Sequence, residues 1–310
     1  MDRIVVIANP SASQFTGGAH RQVMSLLRKE ATVEPVWPES PAIAETRAAE
    51  AAESGADVVV AMGGDGIVHH VAQGLVDTET ALGIIPVGTT NVIARLLDIP
   101  SKASKAARLI TETGQTRSVG MARMTLSRGA IETIHHAVFA CGFGLDAAVV
   151  LEADKDPYRK YRFGSLHYAR TALGVALKDF PRRRPHIMVS IEQRQELATA
   201  ALVQFRSLYT YFGSIPLRVG PEEPDPMTVL TLGRLRRRRI PRIVWTLLRN
   251  GDLGSIPEWN VSQNVKSLEL VADPPAAAQA DGESLGMVDG GKVEWAPDAL
   301  RVVAGQPPVS

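Results

Sequence analysis

The sequence predicts an α/β region with a parallel sheet covered on both faces over residues 1–120, followed by a β-rich region over residues 121–300. Three observations carry this. Short apolar runs alternate with helical segments up to Gly114, and glycine, asparagine and serine turns follow the runs. Beyond Gly114, short β-like runs separated by turn residues replace the alternation. The segment 300–310 is a candidate to return to the first region.

Arg3 to Ala8 reads as the first strand, ending in Asn9-Pro10-Ser11-Ala12-Ser13 and a Gly17-Gly18 loop, before helices over His20–Glu30 and Pro41–Ser54. Ala56 to Met62 is a buried strand that meets Gly63-Gly64-Asp65-Gly66 and a helix over Ile67–Leu75. Three glycines around one carboxylate let backbone N–H groups approach an anion, and the helix adds its positive N-terminal dipole. A second such turn, Pro86-Val87-Gly88-Thr89-Thr90-Asn91, follows the strand Ala81–Ile85 and leads into helices over Asn91–Leu97 and Ser101–Thr113. In an open parallel sheet these turns share the carboxyl edge, where ligands bind. Glycine also serves purely structural turns, so one such turn by itself does not identify a phosphate site.

The later runs are Ser118–Leu126, Ile131–Cys141, Ile187–Glu192, Ala200–Phe205, Thr228–Leu232 and Ser267–Ala272, with helices near Arg162–Phe180 and Pro241–Asn250. No internal repeat is present, and Pro274-Pro275-Ala276-Ala277-Ala278 is a biased stretch too short for a linker domain.

At 45% apolar and 22% charged residues the composition is that of a soluble globular protein. One cysteine excludes an intrachain disulfide framework. Without a signal core or a long apolar span, the expectation is a cytoplasmic protein that neither crosses a membrane nor is exported by a standard signal. Net charge is +1, but Lys155 to Asn250 holds 19 basic and 7 acidic residues. That stretch contains Arg182-Arg183-Arg184 and the segment Arg236 to Arg249 with Trp245. Such segments serve either as peripheral contacts with an anionic membrane face or as solvated helix faces. No nucleic-acid motif accompanies them, so no nucleic-acid partner is expected.

Asn9-Pro10-Ser11, Gly-Gly-Asp-Gly at Gly63, Pro-x-Gly-Thr-x-Asn-x-x-Ala-Arg at Pro86 and Asp281-Gly282-Glu283 together resemble the diacylglycerol kinase catalytic-domain family. That family includes bacterial lipid kinases and sphingosine kinases and is related to NAD kinases. The resemblance extends to the segments Phe139–Ala147 and Tyr209–Gly213. It implies a Rossmann-like first domain, an antiparallel β-sandwich second domain and an active-site cleft between them. The implied activity is transfer of the γ-phosphate of ATP, with Mg²⁺, to diacylglycerol or a related lipid alcohol such as a sphingoid base.

The resemblance implies roles residue by residue. Asn9, Ser11, Gly63, Gly64, Asp65, Gly66, Gly88, Thr89, Asn91 and Glu283 would surround the nucleotide, with Asp65 reaching Mg²⁺ through water. Asp281 would be the general base, although Asp-Gly is also a common turn dipeptide. Asp146 would contact the acceptor headgroup or cap a helix beginning at Ala147. Asp225, with the carbonyls of Glu222 and Met227, falls where bacterial members hold a structural metal, but Pro224 and Pro226 replace the flexible surroundings usual there.

The chain departs from the family at Ile67, His69 and His70, where a threonine, an asparagine and a glutamate are usual. His70 would then hydrogen-bond phosphate or ribose, or lie on a helix surface. Two further readings stay open: a catalytically weak lipid-binding protein, and a soluble-metabolite kinase resembling NAD kinase. Edge strands of the second domain offer a route to a homodimer.

Overall fold

A computed structural model describes residues 1–113, 115–153, 174, 184–206, 210–212, 215–217, 226–234, 236–250, 256 and 258–304. The chain forms two units. The first comprises Met1–Met121 and the chain from Pro297, and the second comprises Ala122–Ala296.

The first unit contains β1 (Arg3–Ala8), α1 (Gly17–Leu27), β2 (Thr32–Val36), α2 (Pro41–Glu53), β3 (Val58–Gly63), α3 (Asp65–Gln73), β4 (Ala81–Pro86), α4 (Val92–Leu96) and α5 (Ala103–Thr113). The strands pair in parallel in the order β2-β1-β3-β4. Every residue of β3 and β4 is buried, which their unbroken apolar runs require of strands covered on both faces. Strand β2, which the sequence did not signal, carries Glu34 and Pro35. A proline without an N–H is tolerated there because β2 lies at the sheet edge.

Thr16 caps α1 by accepting the Ala19 N–H at 3.0 Å, and Ser40 caps α2, which opens on Pro41. The crossovers leave β1 toward β2 and return past β1 to β3. Right-handed connections therefore set α1 on one sheet face and α2 with α3 on the other. Helix α1 packs on α5, and α2 on α3. The last pair approach through the small residues Ala44, Ala48 and Ala51, and through Gly74, where a Cβ would lie 2.9 Å from the Ala48 Cβ.

The second unit is antiparallel. It contains β6 (Ile131–Ala137), β7 (Ala140–Phe143), α6 (Leu145–Ala153), β8 (Ile187–Ile191), β9 (Arg194–Ala198), β10 (Ala200–Gln204), β11 (Thr210–Phe212), β12 (Ile215–Leu217), β13 (Thr228–Leu232), α7 (Ile240–Asn250), β14 (Trp259–Ser262) and β15 (Ser267–Ala280). Two strands, β5 (Thr116–Arg128) and β16 (Glu283–Val303), begin in one unit and end in the other.

Strand β15 gives the second unit its layered form. Its residues Glu269–Ala272 pair with β8, and its residues Ala278–Ala280 pair with β7. Between them the pairing with β16 shifts register across Asp273-Pro274-Pro275. Prolines donate nothing to a ladder and bend a strand, so β15 changes neighbour there, from β8 to β7. The sequence suggested a strand only to Ala272 and treated the prolines as a biased stretch, whereas the strand runs to Ala280. The expected run Ile131–Cys141 is instead two strands, interrupted at Val138-Phe139.

One core holds Met124, Leu126, Phe143, Val203 and Val293. On the other face of β10 and β13, Leu202, Leu230, Leu232 and Trp259 form a second core covered by α6 and by Ile240 and Ile243 of α7. Among the described residues no helix is long and apolar enough to cross a membrane. Glu222, Asp225, Arg182, Arg183, Tyr209 and the expected helix near Arg162–Phe180 lie outside the described residues, apart from Gly174. Met227 is buried, and its carbonyl accepts the Val265 N–H at 3.0 Å.

Candidate functional site

The first unit builds its site where the strand connections diverge. β1 leads to β2 and β3 leads to β4, so the adjacent carboxyl ends of β1 and β3 form the switch point of the sheet. Gly64 is the extended N-cap of α3 (φ −95°, ψ −172°) and has no side chain to satisfy the first turn. The helix starts at Asp65, two residues earlier than the apolar pattern suggested, so Asp65 and Gly66 both lie in its first turn.

Three loops are tied together here. Val87 N–H donates to the Gly63 carbonyl at 2.9 Å, Asn9 N–H to the Met62 carbonyl at 3.0 Å, and Gln14 N–H to the Val87 carbonyl at 2.9 Å. Ser13 Oγ and Thr89 Oγ1 share a hydrogen bond at 2.8 Å. The loops after β3 and β4 touch backbone to backbone, since a Cβ on Gly88 would stand 2.5 Å from the Gly64 Cα. That contact, and not only a ligand, demands glycine at 88. Asn9 turns its Oδ1 to the Ser11 N–H at 2.9 Å, which closes the first loop on itself.

Asn91 and Asp65 exchange the roles their positions suggest. Asn91 is left-handed (φ 50°) and closes its own loop, with Oδ1 accepting the Gly88 N–H at 3.0 Å and Nδ2 donating to the Gly88 carbonyl at 2.8 Å. It therefore does not cap α4. Asp65 does so from α3, its Oδ1 accepting the Ile93 N–H at 2.9 Å.

The residues at the family departures pack along α3. Ile67 is buried with its Cγ2 over Gly63, where any Cβ would overlap it. His69 is buried, and its ring meets that of His70 edge-on at 5.1 Å. His70 is half-buried, and its Nδ1 lies 3.9 Å from Glu45 of α2. A separate surface cavity of about 610 Å³, lined by His20, Met24, Arg28 and Trp37 among others, runs beside α1 and includes none of these loop residues.

The second unit gathers its own cluster around the β15–β16 turn. Asp281 and Gly282 are both left-handed (φ 53° and 82°), the requirement of a tight two-residue hairpin that Asp-Gly meets. The Asp281 side chain is buried at 5% exposure. Its Oδ2 accepts the Val138 N–H at 2.7 Å, and its Oδ1 accepts the N–H groups of Phe139 at 2.9 Å and Ala140 at 3.3 Å. Those donors lie at the break between β6 and β7, so the carboxylate satisfies the backbone that the break would strand.

Asp146 lies in the first turn of α6, which begins at Leu145, and its carboxylate sits where a Cβ on Gly142 would be. Gln279 joins it to the hairpin, donating Nε2–H to Asp146 Oδ2 at 2.9 Å and accepting the Gly282 N–H at 2.8 Å. Sequence reasoning missed Gln279. Its one signal is strand periodicity, which places it on the same face as Asp281. Glu283 opens β16 and is half-buried. The Cys141 thiol, wholly buried between these groups, is pushed well above its usual pKa by burial and then by the charges of Asp281 and Asp146. Among the described residues no three His, Cys, Asp or Glu side chains converge as metal ligands.

Residues 3–124 match the sequence model of the diacylglycerol kinase catalytic domain. Over that first region the chain is similar to the family. It is 28% identical over 206 residues to a diacylglycerol kinase of Mycobacterium tuberculosis, an alignment covering 66% of this chain and 64% of that one. The chain thus spans under two thirds of that relative's length. It is also 51% identical over 55 residues to a diacylglycerol kinase of Bacillus subtilis, covering 17% and 18% of the two chains. A Stenotrophomonas maltophilia protein named a probable lipid kinase is 25% identical over 263 residues, covering 77% and 76%. A solved diacylglycerol kinase structure from Bacillus anthracis superposes with a TM-score of 0.69 at 17% identity, covering 99% of this chain and 98% of that one. At that identity the likeness concerns the fold of the family, an α/β region followed by a β region.

Proposed function

We propose that the protein is a lipid kinase that transfers the γ-phosphate of ATP to the hydroxyl of diacylglycerol or a related lipid alcohol. The observation that carries the reading is the pair of glycine loops after β3 and β4, held so close that a Cβ on Gly88 would meet the Gly64 backbone. That geometry leaves an uncapped helix N-terminus beside hydroxyls at Ser13 and Thr89, which suits a polyphosphate. ATP would lie against Gly64, Asp65, Gly66 and Thr89, with Asn9 and Asn91 holding the loops that receive it. Mg²⁺ would accompany the phosphates and meet Asp65 through water. Phosphoryl transfer asks the protein chiefly for positioning and for a group that takes the hydroxyl proton.

On the acceptor side the candidates are Asp281, Glu283 and Asp146. A carboxylate offers about four lone-pair sites, and three of those on Asp281 face backbone N–H groups. Asp281 is thereby fixed in orientation, as a positioned base or as the pin of the hairpin. Glu283 is the second candidate for the proton, and Asp146, steadied by Gln279, for the headgroup.

The test is transfer of labelled γ-phosphate to a panel of lipid alcohols by wild type, Asp281→Asn and Glu283→Gln, each also unfolded in urea. Label in lipid with wild type is expected, with at least a hundredfold loss in the variant that removes the base. An Asp281→Asn protein that loses activity only as far as it loses folded population would assign Asp281 to the fold. No labelled lipid with any nucleoside triphosphate and divalent metal would overturn the reading. It would favour the lipid-binding alternative that the apolar packing of Ile67 and the burial of His69 suggest.

A further inference from the structure

We infer that the outward face of α7, with the turn before it, docks on a lipid surface bearing anionic headgroups. Helix α7 has two unlike faces. Ile240 is buried and Ile243 packs into the core beneath β10 and β13, which fixes the helix on the second unit. Arg242 and Trp245, three residues apart and so neighbours on a helix, lie on the other side. Trp245 is 63% exposed, the most exposed tryptophan among the described residues.

The chain immediately before the helix extends the same character. A short 3₁₀ turn over Arg237–Arg239 precedes Ile240, and Arg236 and Arg238 are exposed. Arg239 is neutralised by Glu258 at 2.7 Å. Among the described residues Arg236, Arg238 and Arg242 have no acidic partner, so three exposed cations and one exposed indole lie within ten residues of chain.

Cations alone would suit any polyanion. An indole beside them suits a membrane interface, where the ring occupies the headgroup level while arginines meet phosphates. The choice of a lipid surface over a polynucleotide rests on the lipid-kinase reading, since a kinase with a bilayer-borne acceptor must meet that bilayer. The surface itself is tested without catalysis.

The full chain is mixed, without nucleotide, with vesicles of phosphatidylcholine alone or with phosphatidylglycerol added, and sedimented at low and high salt. Binding is expected only to the anionic vesicles and should weaken with salt. With each arginine near the surface contributing about a fivefold gain in partition, Arg238→Glu with Arg242→Glu should lower binding at least about thirtyfold. Trp245→Ala should lower it several-fold, and brominated lipid should quench wild-type fluorescence more than that of Trp245→Phe. Circular dichroism melts matching wild type show that the variants fold.

Vesicle binding unchanged in the double arginine variant would overturn the proposal, as would equal binding to neutral vesicles. Loss of binding to a single-stranded polynucleotide with vesicle binding intact would assign the surface to nucleic acid instead. A protein that binds anionic vesicles through these residues but phosphorylates nothing would sink the kinase reading and leave the docking surface standing. Phosphorylation of a water-soluble short-chain diacylglycerol without vesicle binding would do the reverse.

Discussion

Asp65 combines a structural duty with a proposed chemical one, and two substitutions separate them. Asp65→Ala removes the cap on α4 and should cost about 1 kcal/mol of unfolding free energy. Asp65→Asn keeps an oxygen for the Ile93 N–H and should cost less, yet it removes the charge. If the charge serves Mg²⁺, both variants lose phosphoryl transfer while urea melts tell them apart; full activity in Asp65→Asn would dismiss that role. Cys141 is the matching reporter in the second unit. Its thiol is held protonated by burial and by two carboxylates, so a thiol reagent near pH 8 should leave the native protein unlabelled and modify one site per chain in denaturant. Labelling of the native protein would mean that the Asp146–Asp281 region opens in solution. The glycine, Thr89 and Asp65 positions were readable in sequence because each follows directly from a short turn whose residues are adjacent. The partners of Asp281 were not, because its N–H donors lie 141 to 143 residues away in the chain. Asp146 and Gln279 are likewise 133 residues apart, and no local pattern connects them.

Among the elements, two glycines offer a controlled comparison. Gly74→Ala forces α2 from α3, and Gly88→Ala forces apart the loops after β3 and β4. Each should destabilise the protein by about 1–3 kcal/mol through overpacking. Only Gly88→Ala should also weaken protection of the protein by ATP in thermal melts, because only its loop faces the proposed phosphate site. Equal loss of ATP protection in both variants would argue against that site. Strand β1 is tied to the loop before β3 by Asp57, whose carboxylate accepts the N–H groups of Asp2 at 2.6 Å and Arg3 at 3.0 Å. The Arg3 bond, then the Asp2 bond, lowers its pKa from 3.8. A lowered carboxylate pKa contributes stability above the unfolded value, and that contribution disappears as pH falls through the folded value. Asp57→Asn should therefore flatten the acid limb of the stability profile below about pH 4. The parallel strands were legible because burial on both faces writes an unbroken apolar run. Strand β15 was only half legible, since Asp273-Pro274-Pro275 looks like a strand terminator and instead marks the register shift at which β15 changes partner from β8 to β7.

For the whole molecule, the second unit is an insertion within the first. Val302 pairs with Leu82 of β4, Ala299 accepts the Asp77 N–H at 2.9 Å, and Leu300, Val302 and Val303 are buried. A chain ended at Ala296 should thus lose cooperative unfolding of the first unit and expose the β4 edge to association, measurable by light scattering and hydrogen exchange. A truncated chain that remained monomeric and protected would show that these contacts are dispensable. The alternation that revealed the first unit stopped at Gly114, and the sequence offered only residues 300–310 as a candidate return, whereas the first unit resumes at Pro297. A ribosome makes the glycine loops early but delivers the strand that seals their sheet only after the whole insertion has emerged. The nascent first unit must wait, with an open edge, while residues 122–296 are made, which makes it a natural client for holding chaperones.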